Sequence, residues 1–456
     1  MTIASISLGE YRTDIPPPSN LTFAKGSGSV SVPGGISGRY TRNTASQNVA
    51  LKGLDLCVDA YIDGICVDLH SVRNWTISNN TIGPMCCGVG AGDVVGIRVA
   101  ITAGQPKNSD VTIRGNLIRG ILRYCNYWPS SVHGPCPGKT ASAVHVDGIQ
   151  MWGTSNVTID RNRLYNVSVQ GIFVSSAAGI GSNDKLTITN NLIGLSPDTS
   201  ERAIELKLDT SSSLTGRNTI AFNTTPDRIE LDGLATQTGN PSVDIVGNVA
   251  QVYTASSPPD GPGYCFRGVS GVTLTYRYNV ETGSVGPCGS TDVRRGVPLA
   301  NTSLLPATTM DLHLGGARGS TVADNLVPPA TCAAYASRDV DGAVRPADTN
   351  CDAGGDERGG APTAVVATSV VVRVVGDTVV VRWRVEPGRP AIGFNVFGER
   401  GGVRAKLNRA LIRAHRGRGA YVFRARLGGR RYRAYWLQVL RADASNRWFR
   451  ARTARS

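Results

Sequence analysis

The chain of 456 residues lacks bulky aromatic side chains and long apolar runs. Only 6% of its residues are aromatic, whereas 54 are glycine, and its many short Val/Ile/Thr runs are typical of strands separated by turns. No apolar run approaches the roughly 18 residues that a membrane-spanning helix requires, so we expect no membrane span. The composition therefore predicts an all-β chain that is long enough for two or three domains.

A signal peptide is also missing, because residues 1–18 have neither a basic start nor an apolar segment. The ten cysteines nevertheless favour disulfides, since they fall close together in Gly/Pro-rich stretches. The candidate pairs are Cys57 with Cys66, Cys86 with Cys87, Cys125 with Cys136, Cys265 with Cys288 and Cys332 with Cys351. We therefore predict a secreted or cell-surface protein whose leader lies outside this chain. Without a CxxC pair, and with only five histidines, the sequence gives little support to a zinc site.

Acidic residues are scarce near the C-terminus. Residues 363–456 contain 21 Lys and Arg against 4 Asp and Glu, a net charge of +17, while residues 1–362 contain 27 against 30, a net charge of −3. Such a segment either binds a polyanion or spreads its arginines along the outward faces of strands. We favour the second interpretation and expect no nucleic-acid partner, because the aromatic residues of this segment have the pattern of core residues.

A repeat fills the middle of the chain. Segments such as VTIRGNLI, VTIDRNRL and LTITNNLI each read as an alternating strand that ends at an asparagine. The asparagines are Asn80, Asn116, Asn162, Asn191, Asn223, Asn248 and Asn279, with an outlying copy at Asn325. Single coils cannot bury their apolar positions, but stacked coils bury a continuous column of them. An asparagine at each turn fits this stack because it tolerates left-handed backbone and its amide can bond to the coil above.

A second strand in each coil is marked by a small residue before isoleucine, as in VGIR, DGIQ, QGIF and AIEL. With both strand families aligned, the chain resembles the right-handed parallel β-helix proteins of the pectate lyase and polygalacturonase superfamily. The resemblance covers residues 20–330 and implies a solenoid fold that binds or modifies polysaccharides.

Two further segments complete the predicted organisation. Residues 311–352 resemble the capping segment of secreted β-helix proteins, with the likeness carried by Asp339, Asp341, Gly342, Arg345, Pro346 and Cys351. We assign 1–352 to the capped β-helix and 353–364 to a linker. Residues 365–456 resemble a fibronectin type III-like β-sandwich with Trp383 and Tyr435 in its core.

The strand around HVDGIQ, residues 145–150, carries the candidate site. If Ile149 points inward, Asp147 and Gln150 point outward, and aligned coils place Val95, Gln170 and Arg202 in one column with Asp147. The next column reads Cys66, Arg98, Gln150, Phe173 and Glu205. We predict one exposed face with catalytic candidates His145, Asp147, Asp93 and Arg98, and with substrate-binding candidates Gln150, Arg202, Glu205 and Lys207.

Two kinds of sugar chemistry fit these residues. Asp93 and Asp147, one coil and two residues apart, would lie about 8 Å from each other, the spacing of an inverting glycosidase. A lyase or epimerase instead needs a base and a cation, with calcium as a candidate ion at Asp63, Asp147 or Glu205. HVDGIQ resembles the polygalacturonase motif NTDGID, but the next coil, NVSVQGIFV, has no acid.

Purely structural roles stay open for the same residues. Asp147 before glycine can close a turn, His145 can be a surface residue, and Arg98, Arg202, Glu205 and Lys207 can form ion pairs between coils. The insertion at 124–141 is expected to overhang this face, with Tyr127 and Trp128 stacking on sugar rings. We predict an exported, monomeric polysaccharide-binding protein that cleaves or epimerises its substrate; the alternative is a non-catalytic adhesin-like scaffold.

Overall fold

The structure is a computed structural model. It describes residues 6–10, 22–24, 31–32, 36–39, 47–57, 60–61, 65–86, 93–101, 103–123, 145–176, 180–196, 202–232, 235–254, 270–282, 287–302, 310–315, 321–347, 349–358, 370–385, 391–408, 412–413, 419–429, 431–441 and 446–453. The described residues are nearly all strands, so the all-β prediction is confirmed. The chain divides into two compact units, Met1–Arg358 and Gly359–Ser456.

Two parallel sheets form the first unit. The first sheet contains Ile6–Glu10, Ser31–Val32, Ile36–Arg39, Asp55–Leu56, Ala60–Tyr61, Ile65–His70, Thr81–Ile82, Met85–Cys86, Val94–Ala100, Leu117–Leu122, Val146–Met151, Arg163–Val167, Gln170–Val174, Leu192–Leu195, Arg202–Lys207, Thr224–Asp232, Val249–Thr254, Val280–Glu281 and Val293–Arg294. The second sheet contains Thr22–Ala24, Gln47–Lys52, Arg73–Ser78, Asn108–Arg114, Thr154–Asp160, Asn183–Asp184, Thr187–Thr189, Leu214–Thr215, Arg217–Ala221, Ser242–Val246 and Thr273–Arg277.

Strands of the two sheets alternate along the chain, and each pairs with its counterpart in the next coil, as in a parallel β-helix. Stacking places like residues above one another, so that the core consists of aliphatic columns. One column runs through Leu51, Ile77, Ile113, Ile159, Ile188, Ile220 and Ile245, and another through Val67, Ile97, Ile149, Ile172, Ile204 and Ile229. These residues are at most 1% exposed. The apolar positions of the repeat therefore form one continuous core.

The seven predicted asparagines form a single buried ladder. From Asn80 to Asn279, each side-chain Nδ2 donates to the Oδ1 of the next asparagine at 2.9–3.0 Å, and each Oδ1 also accepts the next lower backbone N–H. Asp292 ends the ladder by accepting the amide of Asn279 at 3.2 Å. The ladder satisfies backbone groups that the turn would otherwise leave buried without partners.

Two details of the ladder differ from expectation. The left-handed backbone belongs to the residue before each ladder asparagine, as in Arg161 at φ 58° and Phe222 at φ 56°. The asparagines are thus selected for their amides, not for their backbone conformation. Asn325 is not in the ladder, because it lies in the capping segment and donates its backbone N–H to Asp352.

Close contact between neighbouring coils explains why a small residue precedes the isoleucine in these strands. A Cβ atom on Gly148 would lie 2.7 Å from the carbonyl oxygen of Gly171 in the next coil and 2.7 Å from a methyl group of Leu164. Gly96 and Gly171 have the same close approach to the coil above. Because Gly148 and Ile149 both face inward, Asp147 and Gln150 can both face outward although they are three residues apart.

The capping segment closes the β-helix. It contains a two-stranded antiparallel sheet, Leu299–Asn301 with Asp311–Leu314, and a helix at Pro329–Tyr335. Its apolar residues pack on Phe222, Val249 and Val280 of the last coils.

No helix among the described residues is long and apolar enough to cross a membrane.

A buried arginine joins the two ends of the cap. Arg345 donates to the carboxylate of Glu357 at 3.0 Å and to the carbonyl of Gly354 at 2.6 Å. Within the predicted linker 353–364, residues 353–357 are buried, because they supply these partners. Residues 359–364 lie outside the described part of the chain.

Disulfides join Cys57 to Cys66 and Cys332 to Cys351, as the cysteine spacing predicts. Cys288 is also disulfide-bonded. Cys87, Cys125, Cys136 and Cys265 lie outside the described residues, as does the side chain of Cys86. The first bond closes an early coil, and the second ties the helix of the cap to its end.

The second unit contains two mainly antiparallel sheets that enclose an aromatic core. One contains Val371–Val375, Thr378–Val385, Gly419–Arg426 and Arg452–Thr453, and the other Ala391–Arg400, Val403–Lys406, Ile412–Arg413, Ala434–Arg441 and Asn446–Arg450. Trp383 and Tyr435 lie in this core, as predicted. The ring of Trp383 stacks on Tyr421, with 5.4 Å between centroids. The arrangement is sandwich-like.

Candidate functional site on the outer face of the β-helix

The candidate site is the polar face, which we define as the outward side chains of one row of strands in the first sheet. Its strands are Ile65–His70, Val94–Ala100, Val146–Met151, Gln170–Val174, Arg202–Lys207 and Thr224–Asp232. Asp147 pairs in register with Gln170, which pairs with Arg202, as the aligned coils predict. In the same way, Gln150 pairs with Phe173, which pairs with Glu205.

The first coil departs from the predicted register by two residues. Arg98 pairs with Asp68, and Val95 pairs with Ile65. Cys66, which the alignment placed beside Arg98, is instead buried in the core and bonded to Cys57. The disulfide fixes the inward orientation of Cys66, and the shift brings an unpredicted carboxylate onto the polar face.

Three residues that were expected to be exposed are buried, with Asp147 at 0%, Gln150 at 3% and Glu205 at 1% exposure. Their side chains point away from the aliphatic core, so the burial arises on the outer side. Neighbouring coils are only about 4.8 Å apart, and long side chains of one coil therefore cover those of the next. Gln170, for example, donates to Glu205 at 2.7 Å. Neighbouring side chains of the polar face therefore cover these three residues, while Arg202, Lys207 and His145 stay in contact with solvent.

Arg98 centres the first cluster of this layer. Its Nε and Nη2 donate to the two oxygens of Asp68, both at 2.9 Å, and its Nη1 lies 4.0 Å from Asp93. The guanidinium group lies 5.8 Å from the ring centroid of Trp152. Burial acts to raise the pKa of Asp68, but hydrogen bonds from His70 and Arg98 outweigh it and lower this pKa to about 2. Asp68 is therefore ionised at neutral pH and holds Arg98 in place.

Glu205 and Glu230 form the second cluster, which contains two carboxyl groups on neighbouring coils in direct register. Arg202 lies between them, with its Nε 3.0 Å from Glu230 and its Nη1 3.6 Å from Glu205. Arg228 approaches Glu230 at 3.8 Å. Both carboxyl groups are almost completely buried, whereas the side chain of Arg202 is 19% exposed.

The two carboxyl groups of this cluster hold protons unusually well. Burial raises the pKa of Glu205 to about 7, although Arg202 and the hydrogen bond from Gln170 act in the opposite direction. The nearby charge of Glu230 raises it further. Burial also raises the pKa of Glu230 against the effect of Arg202. Glu205 can therefore donate or accept a proton near neutral pH, which is the property of a general acid or base.

The remaining predicted residues lie around these clusters. His145 is exposed, and its ring stacks on Phe173 with 5.6 Å between centroids. The backbone N–H of Val94 donates to the carbonyl of His145, so Asp93 and His145 begin neighbouring strands. Lys207 pairs with Asp209 at 3.4 Å. Tyr127 and Trp128 lie outside the described residues, as does Asp63.

The described side chains that could surround a cation lie in the capping segment. Glu205 contacts Arg202, a permanent cation, whereas calcium requires several oxygen ligands around one point. Among the described residues, His313, Asp341 and Asp356 of the capping segment bring ligand atoms within 4.8 Å of one another. Burial acts to lower the pKa of His313, but hydrogen bonds to Asp311 and Asp341 raise it to about 10. His313 is thus an ion-pair partner within the cap.

No protein-family profile matches this sequence, and no curated protein or solved structure matches it significantly. The candidate site must therefore be judged on its own geometry.

Three contributors to the polar face were missed in the sequence. Asp68 was hidden by the register shift in the first coil, and Trp152 by its position just beyond a strand. Glu230 was missed although RIEL at 228–231 repeats the AIEL segment at 203–206 one coil later. That likeness was the available signal, and it indicated a second glutamate directly beside the first.

Proposed function

We propose that the protein is exported and that it binds and chemically modifies an extracellular polysaccharide along the polar face. Two features of the chain support a position outside the cell: its disulfides, which persist in oxidising compartments, and the likeness of its β-helix to the pectate lyase and polygalacturonase superfamily. The second unit, which resembles a fibronectin type III module, would serve as a spacer or anchor.

The single observation that carries the proposal is the position of Glu205 and Glu230, two buried carboxyl groups in register on neighbouring coils with Arg202 between them. The raised pKa of Glu205, about 7, would allow this residue to act as an acid and as a base at neutral pH. The cause is burial, to which the charge of the neighbouring Glu230 adds.

Around Glu205 the polar face offers groups that suit sugars. Arg202 is 19% exposed and Lys207 is 38% exposed, and both can bind hydroxyl or carboxylate oxygens. The ring of His145 and the half-buried ring of Trp152 add flat apolar area. A chain lying across consecutive coils would meet these groups in turn.

Two reactions are compatible with the pair of glutamates. In hydrolysis, Glu205 gives its proton to the glycosidic oxygen, and ionised Glu230 bonds to the sugar carbon as its bond to that oxygen breaks; water, deprotonated by Glu205, then releases the sugar. The backbones of the two registered positions lie about 4.8 Å apart, close to the roughly 5–5.5 Å between carboxyl groups that retention requires. In elimination, ionised Glu205 removes the proton next to a uronate carboxylate that Arg202 binds, and the glycosidic oxygen leaves as the double bond forms and takes up a proton from water; in epimerisation, a proton from water returns to the opposite side of the same carbon.

Incubation of the full chain with uronate-containing and neutral polysaccharides tests the proposal. New reducing ends indicate hydrolysis, ultraviolet absorbance of an unsaturated uronate indicates elimination, and a changed sugar composition by NMR indicates epimerisation. Glu205→Gln should lower the rate by about 100-fold or more, because an amide cannot transfer the proton. Asp110→Asn, an equivalent change at a carboxylate of the second sheet that is 42% exposed, should leave the rate unchanged.

Two outcomes would contradict the proposal. Full activity in Glu205→Gln would remove Glu205 from the chemistry. Binding of a polysaccharide without any chemical change would favour the non-catalytic scaffold.

A further inference from the structure

The four-stranded sheet of the second unit has an unusual outer surface. Residues such as Val372, Val381 and Trp383 point into the core, so the alternate residues point outward. The outward and exposed side chains include six arginines, which we name the arginine face: Arg373, Arg382, Arg384, Arg424, Arg426 and Arg452. The function proposed above does not use these residues.

The arginines alternate with small or apolar residues across the sheet. Arg382 lies opposite Val371 on one side and Val422 on the other, and Val380 lies between Arg373 and Arg424. No arginine directly faces another in these pairs, which limits the repulsion between like charges. Since Arg373 and Arg424 are two strands apart, their backbones are separated by about 9.6 Å. The positive charges are thus distributed over the whole surface of the sheet.

Acidic side chains do not neutralise this face within the described part of the unit. None of the six arginines has a carboxylate within 4.0 Å among the described residues. Asp377 accepts the N–H groups of Gly428 and Gly429 in a turn, and Glu399 lies on the other sheet, bonded to Trp436. The net charge of +17 over residues 363–456 therefore has a concentrated, solvent-exposed part.

We infer that the arginine face binds an anionic polysaccharide through its carboxylate or sulfate groups. Guanidinium groups pair with such planar or tetrahedral anions through two parallel hydrogen bonds, and six exposed ones provide several contacts at once. The inference is independent of the chemistry proposed for Glu205, because it concerns binding by the other unit.

The shape of the face favours a polysaccharide over a nucleic acid. Recognition of duplex DNA usually inserts a helix or a ribbon into a groove, and the arginine face is the side of a sheet. Single-stranded nucleic acids are held by stacking on aromatic rings, whereas the described outward residues next to the arginines are Val371, Val375, Thr378, Val380 and Val422.

Binding of heparin, a sulfated uronate polysaccharide, by the full chain tests the inference. The double variant Arg382→Gln/Arg424→Gln should bind heparin at least about tenfold more weakly, because two charged hydrogen-bond donors are lost. The control Arg400→Gln/Arg433→Gln removes the same charge from exposed positions outside the face. It should change the affinity less than about twofold. Isothermal titration calorimetry at fixed salt, with dextran as the neutral comparison, gives these affinities.

Three results would overturn the inference. The first is failure of the unaltered chain to bind heparin, and the second is an equal loss of affinity in the two double variants, which would indicate a response to net charge alone. The third is tighter binding of duplex DNA than of heparin with the same dependence on Arg382 and Arg424, which would make the face a nucleic-acid surface. Glu205→Gln should bind heparin normally, so this result is separable from failure of the proposed chemistry.

Discussion

Replacement of Asn162 by alanine would test whether the asparagine ladder stabilises the β-helix. The Oδ1 atom of Asn162 accepts the backbone N–H of Asn116 at 3.0 Å and its Nδ2 at 2.9 Å. Its own Nδ2 donates to the Oδ1 of Asn191 at 3.0 Å and to the carbonyl of Ile113 at 2.9 Å. Asn162 is 0% exposed, so water does not replace these bonds while the coils stay packed.

The magnitude follows from the groups that lose their partner. Alanine at 162 leaves the backbone N–H of Asn116 without its acceptor and the carbonyl of Ile113 without its side-chain donor. A buried polar group left unpaired costs about 1–3 kcal/mol, so the loss of free energy of unfolding from the two groups should be about 2–6 kcal/mol. With a urea dependence of about 3 kcal/mol per molar for a unit of this size, the midpoint of unfolding should fall by about 0.7–2 M.

The assay is urea unfolding of the full chain followed by circular dichroism in the far ultraviolet. Asn156→Gly is the matched control, since Asn156 is an exposed asparagine of the same coil whose side chain donates to Asp110 at 2.6 Å. Its φ of 54° lies in the left-handed region, which glycine adopts without strain. The control should lose at most about 1 kcal/mol, the net value of one exposed hydrogen bond.

Equal midpoints for the two variants would refute the reasoning. They would mean that the buried amides gain no more from the ladder than an exposed amide gains at the surface. The energy of the stack would then reside in the aliphatic columns alone.

Three further perturbations test the packing and the electrostatics. Gly148→Ala should lower the free energy of unfolding by about 1–3 kcal/mol, because its Cβ would lie 2.7 Å from a backbone oxygen; Gly296→Ala, with no atom within 4 Å, should leave thermal unfolding unchanged. The stability of the chain should fall as the pH rises from 4.5 to 7, because folded Glu205, with its pKa of about 7, keeps a proton that the unfolded chain releases near 4.5. Glu205→Gln should make the urea midpoint less dependent on pH over this range, and the part that is left should come from Glu357, whose pKa burial also raises to about 7. Protonated His313 stabilises the folded chain fully below pH 6.5, and this contribution is lost as the pH rises to about 10. His313→Asn should therefore make the urea midpoint less dependent on pH between these two values.

Much of the fold was predictable because the sequence repeat determines how the coils align. Each coil repeats an alternating strand and an asparagine, so the positions of Asn80 to Asn279 in one ladder follow from the alignment alone. The inward isoleucines were predictable for the same reason, since a solenoid places like residues above like. The prediction that Asn325 lies at the same place in a coil was wrong. A short sequence likeness cannot distinguish a coil from a capping segment that ends in a similar turn.

The candidate site was predictable only in part. Alternation showed which side chains point outward, and it placed Gln170 beside Asp147 and Glu205 beyond Phe173. It did not predict that Glu205 is buried, because burial on the outer side depends on the lengths of side chains in neighbouring coils. The pKa of Glu205 depends on that burial, so this pKa could not be predicted from the spacing of residues in the sequence.

The register of the coils connects the ladder to the proposed chemistry. Glu205 and Glu230 are neighbours because Ile204 stacks on Ile229, and a slip of one residue would turn one carboxyl group toward the core. The Asn191–Asn223–Asn248 part of the ladder lies in the same coils, and its hydrogen bonds fix their register. Variants that weaken the ladder at Asn223 should therefore alter the proton affinity of Glu205 although they do not touch it. A shift in the pH dependence of unfolding, together with lower stability, would be the sign of that coupling, because loss of stability alone would leave the pKa of Glu205 in place.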